Sequence, residues 1–401
     1  MTAVETPYIN LLDPQFYVDP WAGYQWLRDE SPVHWDPVQK LWGISRYEDV
    51  LRVEKDTARY TSFKGSRPRM DQSDNRSMID LDDPAHQEQR KLVVRRFTPR
   101  GVRTHEERIR ELADIILSEA TAKGARTIEV VEQVASRLPA MVIAELLGYG
   151  HEHWELVRRV SETTMHTGGQ TSADGSEPAY PPSDESAEAM TEWIPLTMTT
   201  IAARRGDPRD DLLSVWCHSE TDGELWDDGK ILEEALLVLD GGAETTRTVI
   251  GSIVRELAVR PESQRQLRQD PETITDAVEE FIRWVSPIVN MRRTATSDHQ
   301  LHGQHLSGGD ELLLLYGSAN RDERAFERPD KFDITRTRNH HVAFGFGTHV
   351  CLGAPLARLE LRIIFERLLA VLPEWRIVPG TEPKIIPATF ARGYDAVHIE
   401  F

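Results

Sequence analysis

The stretch KILEEALLVLDGGAETTRTVIGSIVRELAVR (230–260) constrains this chain most, because its apolar residues keep helical spacing for about eight turns at 3.6 residues each. Two glycines and a run of polar residues stand at its centre and weaken it as an isolated helix, so contacts from elsewhere must offset that weakness. Helical spacing also marks ERIRELADIILSEA and SRLPAMVIAELLGYG within 104–147, where Gly148 supplies a stop, and TITDAVEEFIRWV (273–285). The first hundred residues predict a short helix at 21–30, strand-like pieces at PVHWD and LWGIS, and a Gly-, Pro- and Ser-rich loop at 62–77. A polar tract at 167–187 interrupts the helices, as loops that act as lids or stay disordered do. HQLHGQHLSGGDELLLLYGS (299–318) and the last thirty residues read as short strands and turns. With no internal repeat and no clean linker, the expectation is one domain over 1–401, mainly α with a smaller β-rich lobe. Its β-rich portions fall at about 32–45, 293–315 and 374–401, and its lid at about 160–195.

A chain of 401 residues, 39% hydrophobic and 28% charged, is long enough to bury a sizeable core. Its formal charge of -19 repels nucleic acid and anionic lipid unless basic residues cluster on one face, so nucleic acid is set aside. No segment approaches the roughly 18 apolar residues that span a bilayer, and MTAVETPYINLLDPQFY lacks a basic region followed by an apolar stretch. The expectation is a protein neither exported nor anchored. The two cysteines, Cys217 and Cys351, lie far apart and form no CxxC or CxxH pair, which argues against a disulfide framework or a zinc site and fits a reducing cytoplasm.

Cys351 sits in FGFGTHVCLG (344–353), ahead of the apolar helix PLARLELRIIFERLLAVL. A thiolate is a strong, soft metal ligand whose burial is costly unless positive charge or N–H groups face the sulfur. Glycines at 345, 347 and 353 allow a tight turn and close approach to a flat object, and the following helix would point its first N–H groups at Cys351. The competing reading is a small apolar residue buried in a turn.

The pattern F-G-x-G-x-H-x-C-x-G with a helix behind it resembles the haem-binding loop of the cytochrome P450 family, with six specified positions in ten residues. Other motifs of that family follow in its order. GGAETT resembles the oxygen-binding groove, at Gly241, Gly242, Glu244 and Thr245; EFIR resembles the E-x-x-R motif, at Glu280 and Arg283; RPDKFD resembles the meander segment, whose arginine would be Arg328. An isolated E-x-x-R is usually a solvated surface pair; in this order it reads as a buried network. His86 and Arg90 resemble the family's H-x-x-x-R, and with Arg293 and His349 they would neutralise the haem propionates. Phe344, Gly347 and Gly353 complete the cofactor-binding set, and Cys351 is the implied metal ligand.

The resemblance implies a monooxygenase that binds haem b through the Cys351 thiolate and inserts one atom of O2 into a C–H bond of a hydrophobic small molecule. Glu244 and Thr245, on a locally widened helix, would form an acid–alcohol proton relay; the competing reading for Thr245 is a bond back to the carbonyl four residues earlier. Electrons would come from NAD(P)H through a ferredoxin and its reductase, and Arg90, Lys91, Arg95, Arg96, Arg100 and Arg103 make a basic stretch for docking an acidic carrier. The expected oligomeric state is a monomer. A peroxide-using haem-thiolate enzyme and a non-enzymatic haem carrier or gas sensor are the competing classes, and the Glu244–Thr245 pair argues against both.

Met78, Ile79, Leu237, Ile288, Val289, Met291 and Phe390 are the apolar pocket candidates. MIDLDDPAHQEQRKLVVRRFTP, IAARRGDPRDDLLSVW and GGAETTRTVIG resemble actinobacterial members that oxidise side chains of cholesterol-derived steroids and branched lipids. Asp240 departs from those relatives, which place an apolar side chain there. A carboxylate at 240 either meets a polar or cationic substrate group or turns to a local arginine or water, so terpenoid or polyketide tailoring stands as the alternative role.

Overall fold

The computed structural model describes residues 7–68, 76–167, 184–221 and 223–401. Its axis is the helix Asp228–Ala258, 31 residues long and capped by the Asp227 side chain, which accepts from the Lys230 N–H. At 1.5 Å per residue it spans about 46 Å, and nearly all of its second half is buried. The Gly-Gly centre is offset by close packing against the helix Arg137–Leu147: a Cβ on Gly242 would lie 2.3 Å from Ile143 Cδ1, so a larger residue there must displace the Ile143 side chain. Arg137–Leu147 ends at Gly148, whose φ of 96° is the left-handed stop the sequence signals.

The helical reading over 104–147 divides into two helices, Glu106–Ala120 and Arg137–Leu147, separated by a strand, Thr127–Glu129, and a π turn, Val131–Ala135. That strand pairs antiparallel with His398–Glu400, the partner that overrides local helical spacing. The helices Trp154–Thr167 and Asp184–Gly206 flank residues 168–183, so most of the polar tract lies outside the described residues. One five-stranded sheet runs in the order 33–36, 41–44, 311–314, 291–295 and 60–61. The first pair is an antiparallel hairpin; 311–314 then joins 41–44 in parallel and 291–295 antiparallel. Its apolar side chains pack in two clusters separate from the helical core, which runs from Met78 to Ile399.

The helix Ile274–Val285 carries Glu280 and Arg283, both fully buried. Arg283 donates to both carboxylate oxygens of Glu280, at 2.7 and 2.8 Å, and to the carbonyls of Asn320 and Pro329. Glu280 also accepts from the Asp333 N–H at 2.9 Å, Arg336 Nε at 2.9 Å and Asn339 Nδ2 at 3.2 Å. Arg336, not Arg328, is therefore the third member of this network. The Arg328 side chain is 62% exposed, with Glu327 at 3.4 Å and Asp333 at 3.9 Å. Its backbone, at φ 48°, turns the chain so that its carbonyl accepts from Arg336. RPDKFD supplies the turn, and the guanidinium comes from eight residues further on.

Candidate active site

The central helix, the turn before Ala354, residues 66–67 and 77–80, and the segments around 288–293 and Phe390 enclose a cavity of about 530 Å³. Cys351 opens into it. The turn that presents the thiol is held by the Cys351 N–H on the Phe344 carbonyl at 2.8 Å and the Gly345 N–H on the Val342 carbonyl at 2.9 Å. Gly347 has φ 72°, and a Cβ there would lie 2.7 Å from the Glu54 carbonyl oxygen. Helix Ala354–Val371 starts directly behind. Burial pushes the Cys351 thiol up, while the N–H groups of Gly353 and Ala354 and the guanidinium groups of Arg90 and Arg358 favour the thiolate. Cys217 is buried elsewhere, its sulfur 3.7 Å from the Ile201 carbonyl.

Four groups that carry or can carry positive charge line the same cavity: His86, Arg90, Arg293 and His349. The His86 and His349 rings stand 4.1 Å apart, and His86 meets Asp83 at 3.0 Å. Arg90 donates to the Val350 carbonyl at 2.6 Å, and Arg293 to Glu54 at 2.7 Å. His349 is pushed down to about 3 by burial, then by Arg293 and His86. Two arginines and two histidine N–H donors gathered this closely suit an anionic group, and a cysteine sulfur with helix N–H donors suits a soft metal. This donor set fits a dianionic, thiolate-ligated haem. Phe344, Gly241, Gly242 and Gly353 also line the cavity.

Thr245 faces the cavity, and its hydroxyl donates to the Gly241 carbonyl at 2.8 Å, the back-bonded arrangement open to a mid-helix threonine. The helix is α throughout 228–258, so the expected widening at this point is absent. Glu244 does not join Thr245: its carboxylate accepts from Arg247 at 2.5 Å and Thr248 at 3.3 Å and meets His166 at 3.3 Å. Burial would raise this carboxyl, but Arg247 and His166 outweigh it and hold it at about 2. The expected acid–alcohol pair is thus separated, with the alcohol in the cavity and the acid in an ion cluster beside it.

Met78, Ile79, Leu237, Asp240, Ile288, Met291 and Phe390 line the cavity as expected from sequence. Val289 does not. Alternation along the segment turns it into the cluster around Leu11, Leu313 and Leu315, while its N–H donates to the Phe390 carbonyl. Asp240 turns to a local arginine: Arg67 Nη2 donates to Oδ2 at 3.2 Å, and the Thr164 hydroxyl to Oδ1 at 2.5 Å. Burial pushes its carboxyl up to about 6 against the pull of Arg67.

Sequence reasoning passed over Arg67, hidden in a loop read as a whole, and Glu360, a buried carboxylic acid facing the cavity from the C-terminal helix. Burial pushes Glu360 up to about 8, with Thr246 as its hydrogen-bond partner. The signal for Glu360 was present: it shares the apolar face of Leu356, Ile363 and Ile364.

A long helix over a cavity, with a cysteine turn feeding a second helix, defines a haem-thiolate type of site. The cytochrome P450 family model matches residues 198–397. A steroid C26-monooxygenase of Mycobacterium tuberculosis is 37% identical over 400 residues, covering 99% of this chain and 98% of that protein. Among solved structures, CYP109E1 of Bacillus megaterium in complex with testosterone superposes with a TM-score of 0.87 at 30% identity, covering 96% of this chain and 99% of that one. The bacillaene polyketide synthase P450 PksS of Bacillus subtilis superposes at 0.84 with 31% identity, covering 98% and 99%. The chain belongs to the cytochrome P450 family and has its fold, mainly α with a smaller β-rich lobe. It is a monooxygenase of hydrophobic small molecules that works with thiolate-ligated haem b and O2.

Proposed function

We propose that Cys351 is the haem ligand, that His86, Arg90, Arg293 and His349 hold the propionates, and that the substrate is a steroid or branched lipid. The observation that carries the first point is that Cys351, and not Cys217, opens into the cavity with N–H donors at its sulfur. Bound there, haem supplies O2 activation and insertion of one oxygen atom into a C–H bond. The chain's own residues do the rest. Gly241 leaves open space beside the cavity, since a Cβ there would meet nothing within 4 Å. Thr245 Oγ1, anchored on the Gly241 carbonyl, keeps a lone pair for a proton donor inside the cavity. Glu244 stays locked on Arg247, so protons reach Thr245 from the cavity side.

The apolar lining of Met78, Ile79, Leu237, Ile288, Met291 and Phe390 supports a lipid-like substrate, as do the steroid names attached to two of the similar proteins. The likeness to PksS keeps polyketide tailoring as the second reading. Titration of the haem-loaded protein with steroids, fatty acids, terpenoids and polyketides, followed by displacement of iron-bound water, tests the assignment. Steroids are expected to bind most tightly; preference for a polyketide or a terpenoid overturns it.

Electrons would come from NAD(P)H through a ferredoxin and its reductase. Lys91, Arg95, Arg100 and Arg103 are exposed on the segment that also supplies His86 and Arg90, and Phe346 and Val350 of the cysteine turn are exposed apolar residues. That combination of charge and apolar contact supports docking of an acidic carrier close to Cys351. Arg96 is engaged by Asp210 at 2.6 Å, so it contributes less than its neighbours. Among the described residues no helix is long and apolar enough to cross a membrane, and a monomer acting in the cytoplasm is the reading adopted.

A further inference from the structure

Besides the cysteine turn, the four basic groups beside it, Thr245 and Glu360, the cavity wall carries a polar junction where four separate parts of the chain meet. Arg67 comes from the segment after the strand at 60–61, Thr164 and Met165 from helix Trp154–Thr167, Asp240 from the central helix, and Phe390 from the C-terminal turn; all five line the cavity. The Arg67 guanidinium lies over the Phe390 ring at 4.4 Å and donates to the Thr164 carbonyl at 2.9 Å, Met165 Sδ at 2.9 Å and Asp240 Oδ2 at 3.2 Å.

Those three bonds employ three of the five N–H groups of an arginine. Among the described residues, Nε and the second hydrogen of Nη1 have no protein acceptor. Asp240 has spare lone pairs on both oxygens after accepting from Arg67 and Thr164. The junction therefore offers both a donor and an acceptor in the cavity that Met78, Ile79, Leu237, Ile288, Met291 and Phe390 also line. Arg67 and Asp240 already neutralise each other, so a third full charge placed there would be left uncompensated in an apolar surround. A neutral oxygen carries no such cost.

We infer that the Arg67–Asp240 pair determines specificity, recognising a neutral hydroxyl or carbonyl oxygen on a hydrophobic substrate and disfavouring both the oxygen-free hydrocarbon and the carboxylate. This rests on the reading of the cavity as the substrate site of a haem-thiolate enzyme. An alcohol gains most, donating to Asp240 and accepting from Arg67; a ketone accepts from Arg67 alone. A hydrocarbon leaves the spare N–H groups of Arg67 and the spare lone pairs of Asp240 unused.

The test is calorimetric titration of the haem-loaded protein with decalin, a decalol, a decalone and a decalin carboxylate, alongside the carbon monoxide spectrum of the same preparation. In the wild type the alcohol and ketone are expected to bind about tenfold more tightly than decalin, the size of one hydrogen bond to a charged group. In Arg67→Leu that preference should shrink to within about twofold, and in Asp240→Asn the carboxylate should gain affinity as the negative charge is lost. Equal wild-type affinities for decalin and decalol, a preference that survives Arg67→Leu, or tightest wild-type binding of the carboxylate overturns the inference while the haem reading stands. Loss of the thiolate signature from fresh wild-type protein refutes the haem reading instead.

Discussion

Replacing Arg336 by alanine separates the network the structure shows from the one the RPDKFD motif suggests. Arg336 donates to Glu280 at 2.9 Å, and its terminal nitrogens donate to the carbonyls of Glu327 at 2.7 Å, Lys331 at 3.1 Å and Arg328 at 3.2 Å. A hydrogen bond between charged groups contributes about 1.5–3 kcal/mol. The three carbonyl bonds lie in exposed surroundings, where water substitutes for the lost donor, so together they add roughly 1 kcal/mol. Glu280 keeps Arg283, the Asp333 N–H and Asn339, so the full 3–5 kcal/mol of an orphaned buried charge is not incurred. Arg336→Ala should therefore cost about 2.5–4 kcal/mol, and Arg328→Ala, at an exposed side chain, within about 0.5 kcal/mol. Urea unfolding followed by far-ultraviolet circular dichroism, at matched haem content, measures both. Equal losses, or a larger loss for Arg328→Ala, would refute the assignment of Arg336.

Gly242→Val should destabilise by about 1–3 kcal/mol through overpacking against Ile143, and Ile143→Ala in the same chain should recover part of the loss, since the clash is with that one side chain; additive losses would sink the explanation. Glu234 is fully buried, accepts the Met78 N–H at 2.7 Å and is pushed up to about 8 by burial. Its folded pKa lies above the unfolded value, so it costs stability progressively as pH rises from about 4.5 to about 8. Glu234→Gln, which keeps the acceptor, should gain thermal stability over wild type at pH 9 and little at pH 5; an advantage independent of pH would contradict this. Charge reversal of Lys91 and Arg95 together should slow reduction by a ferredoxin several-fold at low salt, with the difference fading as ionic strength rises. Rates unaffected by the substitutions would remove this face as the docking site.

Much of the site was legible because its chemistry needs particular residues in local runs. The cysteine turn, the GGAETT segment and the H-x-x-x-R pair are each contiguous, and the structure brings Cys351, Thr245, His86 and Arg90 to one cavity. Partners set by tertiary placement were not legible. Arg336 and Arg328 lie in one polar segment, and only the left-handed turn at Arg328 decides which guanidinium reaches Glu280. Glu244 was read with Thr245 because they are adjacent, yet successive positions on a helix point about 100° apart, and Arg247 captures the acid. Val289 followed the same logic, with its neighbour Ile288 lining the cavity while Val289 packs in the cluster around Leu11. The strand at Thr127–Glu129 carried no local mark, since its pairing partner lies at His398–Glu400.

The carbon monoxide spectrum of the reduced protein, recorded for wild type, Cys351→Ser and Cys217→Ser, tests the central claim most directly. A strongly red-shifted Soret band in wild type and in Cys217→Ser, lost in Cys351→Ser, is the result expected if Cys351 is the thiolate at the iron. A red-shifted band that persists in Cys351→Ser, or that disappears in Cys217→Ser, would contradict it.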